Sequence, residues 1–406
     1  MPSSESIQVT LEESRYDRQE RVSWWDQKRL KEARVLVVGA GALGNEVVKN
    51  LVLVGVGNIA VVDMDTIESS NLARCVFFRP EDEGQAKATV LAKRAGELNK
   101  DAVITGIVDD IRVFGTGIGS RVDVIVGALD NREARLFCNR LAARNGVRWV
   151  DGAIEALSGV ARVFYPPESC YECTLSEGDW EALAHRQSCR LLSRDELNSG
   201  KVPTTASTSS VIAGIQSQEV IKILHRDRVG VTPLKGGIVF DGANNDSYPI
   251  KYPTNEDCMA HEEFSPRVEF EMSEPEFESV DANFLVKKLF GDDQNAVVSL
   301  GDDHVIGWNC TKCEAISPEG RAATLIKWGD GLCPDCQEPR MPTLLTSIEV
   351  PGQYSSIPLS QLGVRKDEIL SVRKGSDERF AWIAIPDRRL PNEWSKTRTL
   401  LEDASV

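Results

Sequence analysis

The sequence of 406 residues lacks the patterns that direct a protein into or across a membrane. Its first 14 residues, MPSSESIQVTLEES, are polar and lack the basic and then apolar order of a secretory signal. No apolar run approaches the roughly 18 residues that a transmembrane helix requires. We therefore expect a cytoplasmic protein without a membrane partner.

An excess of positive charge is also missing, because 62 acidic residues face 47 lysines and arginines and give a formal net charge of −15. Nucleic-acid binding usually needs a basic surface, so we expect a neutral or basic protein partner and no nucleic acid. Hydrophobic content of 41% and charged content of 27% are ordinary for a globular protein, and the length allows two or three domains.

A glycine-rich turn lies between two apolar runs near the start of the chain. The run VLVV leads into Gly39, Gly41 and Gly44, a helical pattern follows, and the run IAVV then ends at Asp63, 19 residues beyond the third glycine. A unit of strand, glycine turn, helix and strand is suited to binding a nucleotide. The glycines let the main chain approach the phosphates, the start of the helix offers free N–H groups, and the acid accepts a hydrogen bond from a ribose hydroxyl. The turn alone favours a dinucleotide, the commonest ligand of this pattern.

Alternating strand and helix patterns continue to about residue 241 and predict an α/β core. Helices are expected at 15–33, 85–98, 132–145 and 209–224, and strands at 102–108, 122–126, 147–150, 159–164 and 237–241. We assign residues 1–33 to an N-terminal arm and helix, and 34–261 to the core domain. The cysteine-bearing segment at about 174–205 has no clear period and is expected to be an irregular crossover.

The remainder of the chain is expected to form two small modules behind a linker. Residues 262–281 contain eight acidic residues, one arginine and two prolines, which is typical of a linker. Residues 282–345 contain two Cys-x-x-Cys pairs, Cys310 with Cys313 and Cys333 with Cys336, separated by 19 residues. In a large chain without a secretory signal this spacing predicts a zinc ribbon, whose four ligands leave no open position for catalysis.

Five motifs in register resemble the ThiF-type adenylyltransferases, in particular the branch that activates ubiquitin and ubiquitin-like proteins. They are RYDRQ at 15–19, the glycine turn with DMD at 63–65, SNLAR at 70–74 with FRPED at 78–82, GQAKA at 84–88, and ALDN at 128–131 followed by Ala134 and Arg135. The resemblance covers roughly residues 14–262. It implies a Rossmann-like adenylation domain with a mixed sheet.

The resemblance also implies the chemistry of the site. The family joins the C-terminal carboxylate of a protein to AMP and expels pyrophosphate from ATP, so cations must neutralise the phosphates. Arg74 and Lys87 are expected to do this, Asp130 to hold Mg²⁺, and Asp63 to accept from the ribose. The full set of residues expected to line the nucleotide is Gly39, Gly41, Gly44, Asp63, Asp65, Asn71, Arg74, Gln85, Lys87, Asp130 and Asn131.

Three of these assignments have plain structural alternatives. Arg18 resembles an arginine that reaches the nucleotide of the other subunit, which implies a homodimer, but Arg18 and Arg74 considered alone are typical solvated arginines. Asp130 could instead cap the following helix. Cys75 stands where the family often has glutamine, so its local contact differs and its thiol could be either redox-sensitive or buried.

A second zinc site is implied by the resemblance. Cys170 and Cys173 form a Cys-x-x-Cys pair, and the family places the other pair near the end of the adenylation domain, where this chain has Cys258 and His261. Histidine is an acceptable fourth ligand, so a structural Cys₃His site is expected. Alternatively, His261 is an exposed linker histidine and the pair holds no metal.

Cys189 is the candidate for a thioester, because ubiquitin-type activating enzymes carry their reactive cysteine in this crossover, ahead of a segment similar to Pro203-Thr204-Thr205. Arg186 and Arg190 flank it and suit a thiolate. The alternative is an ordinary surface cysteine, whereas Cys138 lies in an apolar helical pattern and is expected in the core.

The last module, 346–406, shows a weak β-grasp-like pattern. In the family a domain of this kind recruits a conjugating enzyme, but a plain β unit without a partner explains the pattern equally well.

The leading hypothesis is an activating enzyme for a ubiquitin-like protein that uses ATP, Mg²⁺ and two structural Zn²⁺. The alternatives are a sulfur-carrier adenylyltransferase without a thioester, and a non-catalytic partner subunit. A nicotinamide dehydrogenase is disfavoured, because it would leave Arg74, Lys87 and Asp130 without a role.

Overall fold

The computed structural model describes residues 14–165, 168–181, 203–262, 264–291, 295–385, 387–391, 394, 396 and 398. Two β-sheets, one of eight strands and one of six, organise this part of the chain. No helix within it combines the length and the apolar character that crossing a membrane requires.

The first unit alternates strands and helices, as the sequence predicts. Its elements are α1 (Asp17–Glu20), α2 (Gln27–Glu32), β1 (Arg34–Val38), α3 (Ala42–Leu53), β2 (Asn58–Val62), α4 (Lys87–Leu98), β3 (Val103–Ile107), β4 (Val124–Gly127), α5 (Arg132–Asn145), β5 (Arg148–Glu155), β6 (Ser158–Phe164), α6 (Ala206–Leu224), β7 (Gly236–Asp241) and β8 (Asp246–Ile250). The strand order is β3-β2-β1-β4-β5-β6-β7-β8. The first five strands are parallel and the last three antiparallel, so the predicted mixed sheet is confirmed.

The central strands are apolar throughout because both faces of the sheet are covered. Val35 and Val37 of β1 face a core shared with α3, α4 and α6, whereas Leu36 and Val38 face a second core shared with α5. Successive residues of a strand point to opposite faces, so the unbroken run VLVV fits a strand buried on both sides.

The N-terminal arm is not the continuous helix that the sequence predicts. From residue 14 onward, the part that the structure describes, it contains the two short helices α1 and α2. Asp26 is the cap of α2, because its side chain accepts the Arg29 N–H at 3.1 Å. Trp24 and Trp25 pack against the buried ring of His225, at centroid distances of 5.3 and 5.7 Å. His225 Nε2 accepts the Asp26 N–H at 3.0 Å.

The second unit is one sheet that crosses the predicted module boundaries. Its elements are β9 (Arg267–Glu271), α7 (Glu274–Phe277), α8 (Ala282–Phe290), β10 (Ala296–Cys310), β11 (Ile316–Ala322), β12 (Arg340–Val350), β13 (Ile369–Lys374) and β14 (Asp377–Ala384). The order is β11-β10-β13-β14-β9, with β12 also paired to β10. The predicted linker 262–281 is therefore wrong, because it supplies β9, which pairs in parallel with β14. Modules 282–345 and 346–406 are likewise not separate, since β10 pairs with both β12 and β13.

The two units share a buried interface. Asp367, beside β13, binds Arg121 of the first unit through two contacts of 2.8 Å, and both residues are almost fully buried. Trp394, from the end of the chain, is buried in the core between the first sheet and α5. The C-terminal part of the chain thus completes the core of the N-terminal domain.

Candidate nucleotide site and metal centres

The glycine turn follows β1 at the carboxyl edge of the first sheet. Gly39 has φ +104°, and a side chain there would place Cβ 2.3 Å from the carbonyl oxygen of Ala128. A Cβ on Gly44 would lie 2.0 Å from the carbonyl oxygen of Gly39, whereas one on Gly41 meets no atom within 4 Å. Gly39 therefore lets the turn pack against Ala128, directly after β4, and Gly44 lets α3 pack against the turn itself. Gly41 faces open space that can admit a ligand.

The start of α3 presents main-chain donors to this space. Its N-cap is Gly41, which has no side chain, so no side-chain oxygen accepts from the first turn of the helix. Free N–H groups and the positive end of the helix dipole together favour an anion such as phosphate.

Asp63 ties the second strand to the glycine turn. Its carboxylate accepts the Ala40 N–H at 2.6 Å and the Asp65 N–H at 2.8 Å, and its own N–H donates to the Ile107 carbonyl at 3.1 Å. Burial raises the pKa of Asp63, an effect that these two N–H donors oppose. The carboxylate is fixed at the strand end where Rossmann folds hold a ribose.

Lys87 places a positive charge beside these acids. Its Nζ lies 2.8 Å from Asp65 Oδ2, and 12% of the side chain is exposed, so the ammonium is held rather than solvated. Burial alone would lower the pKa of Lys87, but the hydrogen bond to Asp65 and the charges of Asp63 and Asp65 outweigh it and raise the pKa. Lys87 is therefore a permanent cation at the edge of the sheet.

Arg74 lies on the segment after β2 and contacts the residues that follow the crossover. Its Nη1 donates to Thr204 Oγ1 at 2.8 Å, and Thr204 forms an isolated bridge with Ala156 at the β5–β6 turn. The neighbouring Cys75 is buried, and burial raises the pKa of its thiol to about 11. This favours a buried, unreactive Cys75 over a redox-sensitive one.

Three predicted site residues make local contacts with the main chain. The amide oxygens of Asn71 and Asn131 accept the N–H groups of Glu68 and Ala134, at 2.9 and 2.8 Å, and Gln85 donates to the Glu81 carbonyl at 3.1 Å. These side chains shape the loops after β2 and β4.

Because Asn131 is the cap of α5, the alternative in which Asp130 caps that helix is wrong. Asp130 is exposed at the carboxyl end of β4, where its carboxylate can meet a ligand. Arg18 is also exposed, on α1, while its motif neighbour Arg15 donates to Asn99 Oδ1 at 2.6 Å and fixes the arm.

Sequence reasoning missed a buried charge cluster behind the Asp130 turn. Asp151, fully buried in β5, pairs with Arg135 at 3.2 Å and also with Arg162. Arg135 in turn donates to the carbonyl of Leu129 at 2.5 Å, one residue before Asp130. An acid inside the apolar strand sequence RWVDGAI is the signal that could have revealed this support.

The first metal centre brings together the predicted Cys₃His set. The ligand atoms of Cys170, Cys173, Cys258 and His261 lie within 4.8 Å of one another. Cys170 Sγ lies 3.8 and 3.7 Å from the sulfurs of Cys173 and Cys258, and Cys173 Sγ lies 3.2 Å from His261 Nε2. Tetrahedral zinc with Zn–S bonds of about 2.3 Å separates two sulfurs by about 3.8 Å, so these residues fit a zinc ion.

The second centre is the predicted Cys₄ set. Sulfur separations are 3.5 Å between Cys310 and Cys336, 3.6 Å between Cys313 and Cys333, and 3.7 Å between Cys313 and Cys336. The two pairs sit in equivalent turns, because Glu314 N–H donates to the Cys310 carbonyl and Gln337 N–H to the Cys333 carbonyl, at 3.1 and 2.9 Å. Main-chain N–H groups of Cys313 and Lys312 lower the pKa of Cys310 to about 6, which favours the thiolate that zinc binds.

The thioester candidate Cys189 lies outside the described residues. Of the nine described cysteines, seven belong to the two metal centres, and the other two, Cys75 and Cys138, are buried. Burial strongly raises the pKa of Cys138 as well, in agreement with its predicted place in the core.

The strand order, the glycine turn, the uncapped start of α3 and the acid after β2 define a Rossmann-type nucleotide-binding α/β protein. The chain belongs to the ThiF family, which it matches over residues 16–260. The match ends before the second sheet begins.

Curated relatives fall into two groups by name, E1 activating enzymes and sulfur-carrier adenylyltransferases. The chain is 34% identical over 242 residues to the SAMP-activating enzyme E1 of Haloferax volcanii, an overlap of 57% of this chain and 81% of that protein. It is 35% identical over 168 residues to the sulfur carrier protein ThiS adenylyltransferase of Bacillus subtilis, an overlap of 40% and 50% respectively. It is 34% identical over 153 residues to the ubiquitin-activating enzyme E1-like of Saccharomyces cerevisiae, an overlap of 37% and 24%. The chain thus spans half or less of the last two relatives.

A crystal structure of E. coli MccB with AMPCPP and MccA shares the fold. Its TM-score is 0.51 at 22% identity, and the overlap is 62% of this chain and 75% of that one.

Proposed function

We propose that this protein uses ATP to adenylate the C-terminal carboxylate of a small ubiquitin-like or sulfur-carrier protein. One observation carries the proposal: the uncapped start of α3, Asp63, Lys87 and Asp130 all lie at the carboxyl ends of β1, β2 and β4. A dinucleotide needs the first two features only. Adenylation in addition needs cations for the phosphates and an acid for Mg²⁺, and both are present.

The residues divide the work as follows. The N–H groups at the start of α3 bind phosphate oxygens, and Asp63 accepts from the ribose. The substrate carboxylate attacks the α-phosphorus and pyrophosphate leaves; Lys87 and Arg74 stabilise the charge that accumulates in this step. Mg²⁺ held by Asp130 would neutralise the phosphates.

Arg18 is proposed to reach the nucleotide of a second copy, so the working protein is a homodimer. The proposal makes a specific prediction for mixtures of two inactive variants, Arg18→Ala and Asp130→Ala. A mixed dimer contains one site with an intact Asp130 that receives an intact Arg18 from its partner, so mixing restores activity. If each variant is inactive and mixing restores nothing, Arg18 does not act across a dimer.

The next step is proposed to be attack of the Cys189 sulfur on the acyl-adenylate, which releases AMP and forms a thioester. Elimination supports Cys189, because each described cysteine is either in a metal centre or buried. Transfer to a conjugating enzyme would follow. The sulfur-carrier relatives support a second candidate, in which adenylation proceeds without this thioester.

The test incubates the protein with ATP and a panel of purified ubiquitin-like and sulfur-carrier proteins. We expect partner-dependent pyrophosphate exchange that Asp130→Ala abolishes and the control Asp101→Ala, at an exposed acid before β3, preserves. A reducible adduct that Cys189→Ala removes and Cys75→Ala retains supports the thioester, whereas exchange without an adduct supports the sulfur-carrier function. Full exchange by Asp130→Ala would refute the assignment, and no exchange with any partner would favour a non-catalytic subunit.

A further inference from the structure

Arg112 lies where the two units meet at the carboxyl edge of the first sheet. Its guanidinium contacts the carboxylate of Asp110, with Nη2 at 2.6 Å, and the carboxylate of Glu133, with Nη1 at 2.9 Å. The same Nη1 donates to the main-chain carbonyl of Thr324 in the second unit at 2.9 Å. Only 16% of the side chain is exposed, so these contacts form away from bulk water.

The two carboxylates come from segments that follow different strands of the first sheet. Asp110 follows β3, whose last residue, Ile107, accepts the N–H of Asp63 at 3.1 Å. Glu133 is in the first turn of α5, three residues beyond Asp130. Two strands lie between β3 and β4 in the sheet, so their ends are about 14 Å apart and do not pair through the main chain. Arg112 makes that connection through its side chain.

The C-terminal part of the chain contacts the loop after β3, residues 109–114, at two places. Thr324 belongs to a short turn, Ala323–Leu325, between β11 and the second pair of cysteines of the Cys₄ centre. Arg389, which follows β14, contacts Asp109 at 2.5 Å and lies over the ring of Phe114 at 4.0 Å. The loop 109–114 is therefore held from the zinc ribbon and from the C-terminal segment together.

Charge makes the arginine important at this edge. Without it, the carboxylates of Asp110 and Glu133 would lose the cation that they share, in a site that must accept an anionic nucleotide. Two carboxylates that contact the same guanidinium are close enough to repel each other once it is removed, and a partly buried location strengthens the repulsion.

We infer that Arg112 is a positioning residue through which the zinc-ribbon part of the second unit fixes the loops after β3 and β4. The inference rests on the proposed function for its enzymatic consequence: these loops flank the nucleotide, so loosening them weakens nucleotide binding. The structural consequence, a loss of order in both loops, is independent of any activity.

The experiment compares Arg112→Leu and Arg112→Lys with the control Arg379→Leu. Arg379 also binds a carboxylate and a carbonyl, those of Asp377 and Leu289, but entirely within the second unit. Hydrogen exchange of the main chain is followed at 109–114 and 131–135, and the KM for ATP is measured by pyrophosphate exchange. A Cys313→Ser variant removes the exposed ligand of the Cys₄ centre and so perturbs the zinc ribbon without changing Arg112.

We expect Arg112→Leu to accelerate exchange in both segments and to raise the KM for ATP about tenfold with a smaller change in kcat, as loss of ground-state binding requires. Arg112→Lys should recover part of both effects, and Cys313→Ser should accelerate exchange in the same two segments. Unchanged exchange at 109–114 and 131–135 in Arg112→Leu would overturn the inference, as would equal effects from Arg379→Leu. If the wild-type protein exchanges no pyrophosphate, the proposed function fails, but the hydrogen-exchange result still decides the inference.

Discussion

The buried pair of Arg121 and Asp367 makes a strong prediction about how the two units depend on each other. Both side chains are nearly inaccessible, at 1% and 2% exposure, and the guanidinium and carboxylate meet through two contacts of 2.8 Å. Trp382 Nε1 also donates to Asp367 at 2.9 Å, and the Gly117 N–H donates to the Asp367 carbonyl at 2.7 Å. We predict that Asp367→Asn destabilises both units, although the residue belongs to only one of them.

The magnitude follows from what the substitution leaves behind. Asparagine keeps the shape but not the charge, so the Arg121 guanidinium stays buried without its counter-ion, which costs about 3–5 kcal/mol. Replacing both partners, as in Arg121→Met with Asp367→Leu, removes the buried charge altogether and should cost clearly less than the sum of the single changes. The exposed pair of Arg379 and Asp377 is the control, because Asp377→Asn should cost less than about 1 kcal/mol.

Urea unfolding measures these values, with fluorescence of the eight tryptophans and far-UV circular dichroism as two probes. We expect the transition of Asp367→Asn to shift for both probes. The reasoning is refuted if Asp367→Asn costs less than about 1 kcal/mol, or if the second unit unfolds separately in the wild-type protein while the first stays folded.

Three further predictions concern the turn, the arm and the metals. Gly39→Ala should lower the free energy of unfolding by about 2 kcal/mol or more and abolish nucleotide binding, because an L-residue at φ +104° is strained and its Cβ meets a carbonyl. The control Gly96→Ala lies in open space on a helix and should leave the stability unchanged or raise it. Calorimetry measures both changes. Burial lowers the pKa of His225, so at pH values below about 6.5 the unfolded chain binds more protons than the folded chain. The free energy of unfolding should therefore decrease as the pH is lowered from 6.5, by up to about 1.4 kcal/mol per pH unit. His225→Phe should flatten this pH profile in urea titrations. Elemental analysis should find about two zinc ions per chain, and Cys258→Ser and Cys313→Ser should each lose a different one; a chain that folds fully in a chelator would contradict structural zinc.

Local patterns in the sequence predicted the first unit well because its elements are locally encoded. The apolar runs of β1 and β2 are continuous, and the spacing of Gly39, Gly41 and Gly44 predicts both the turn and the helix start. The Cys₄ centre follows from spacing for the same reason, whereas the Cys₃His centre required the family resemblance to join ligands 88 residues apart.

Charge alone predicts the wrong division of the second unit, because an acidic segment resembles a linker even where it forms a strand. β9 is an edge strand, in which Val268, Glu269 and Glu271 are exposed, so its acids face solvent although the main chain is paired with β14. Acidic side chains are common on edge strands, where they discourage pairing with other chains. Arg112 was beyond sequence reasoning altogether, because its contact with Thr324 spans 212 residues and no motif links the two positions.

The contacts between the units also limit how the C-terminal part can act. At the amino edge of the first sheet, Asp123 accepts from Arg398 at 3.0 Å, and at the carboxyl edge Arg112 binds the Thr324 carbonyl. The C-terminal part of the chain is thus attached at both edges of the sheet, with the buried Asp367 contact as a third attachment. Turning this part as a body would break all three and would separate the carboxylate of Asp367 from the guanidinium of Arg121. If the C-terminal part recruits a conjugating enzyme, as the resemblance implies, it must do so as a platform fixed relative to the nucleotide edge, so that the partner approaches the site and the platform stays in place.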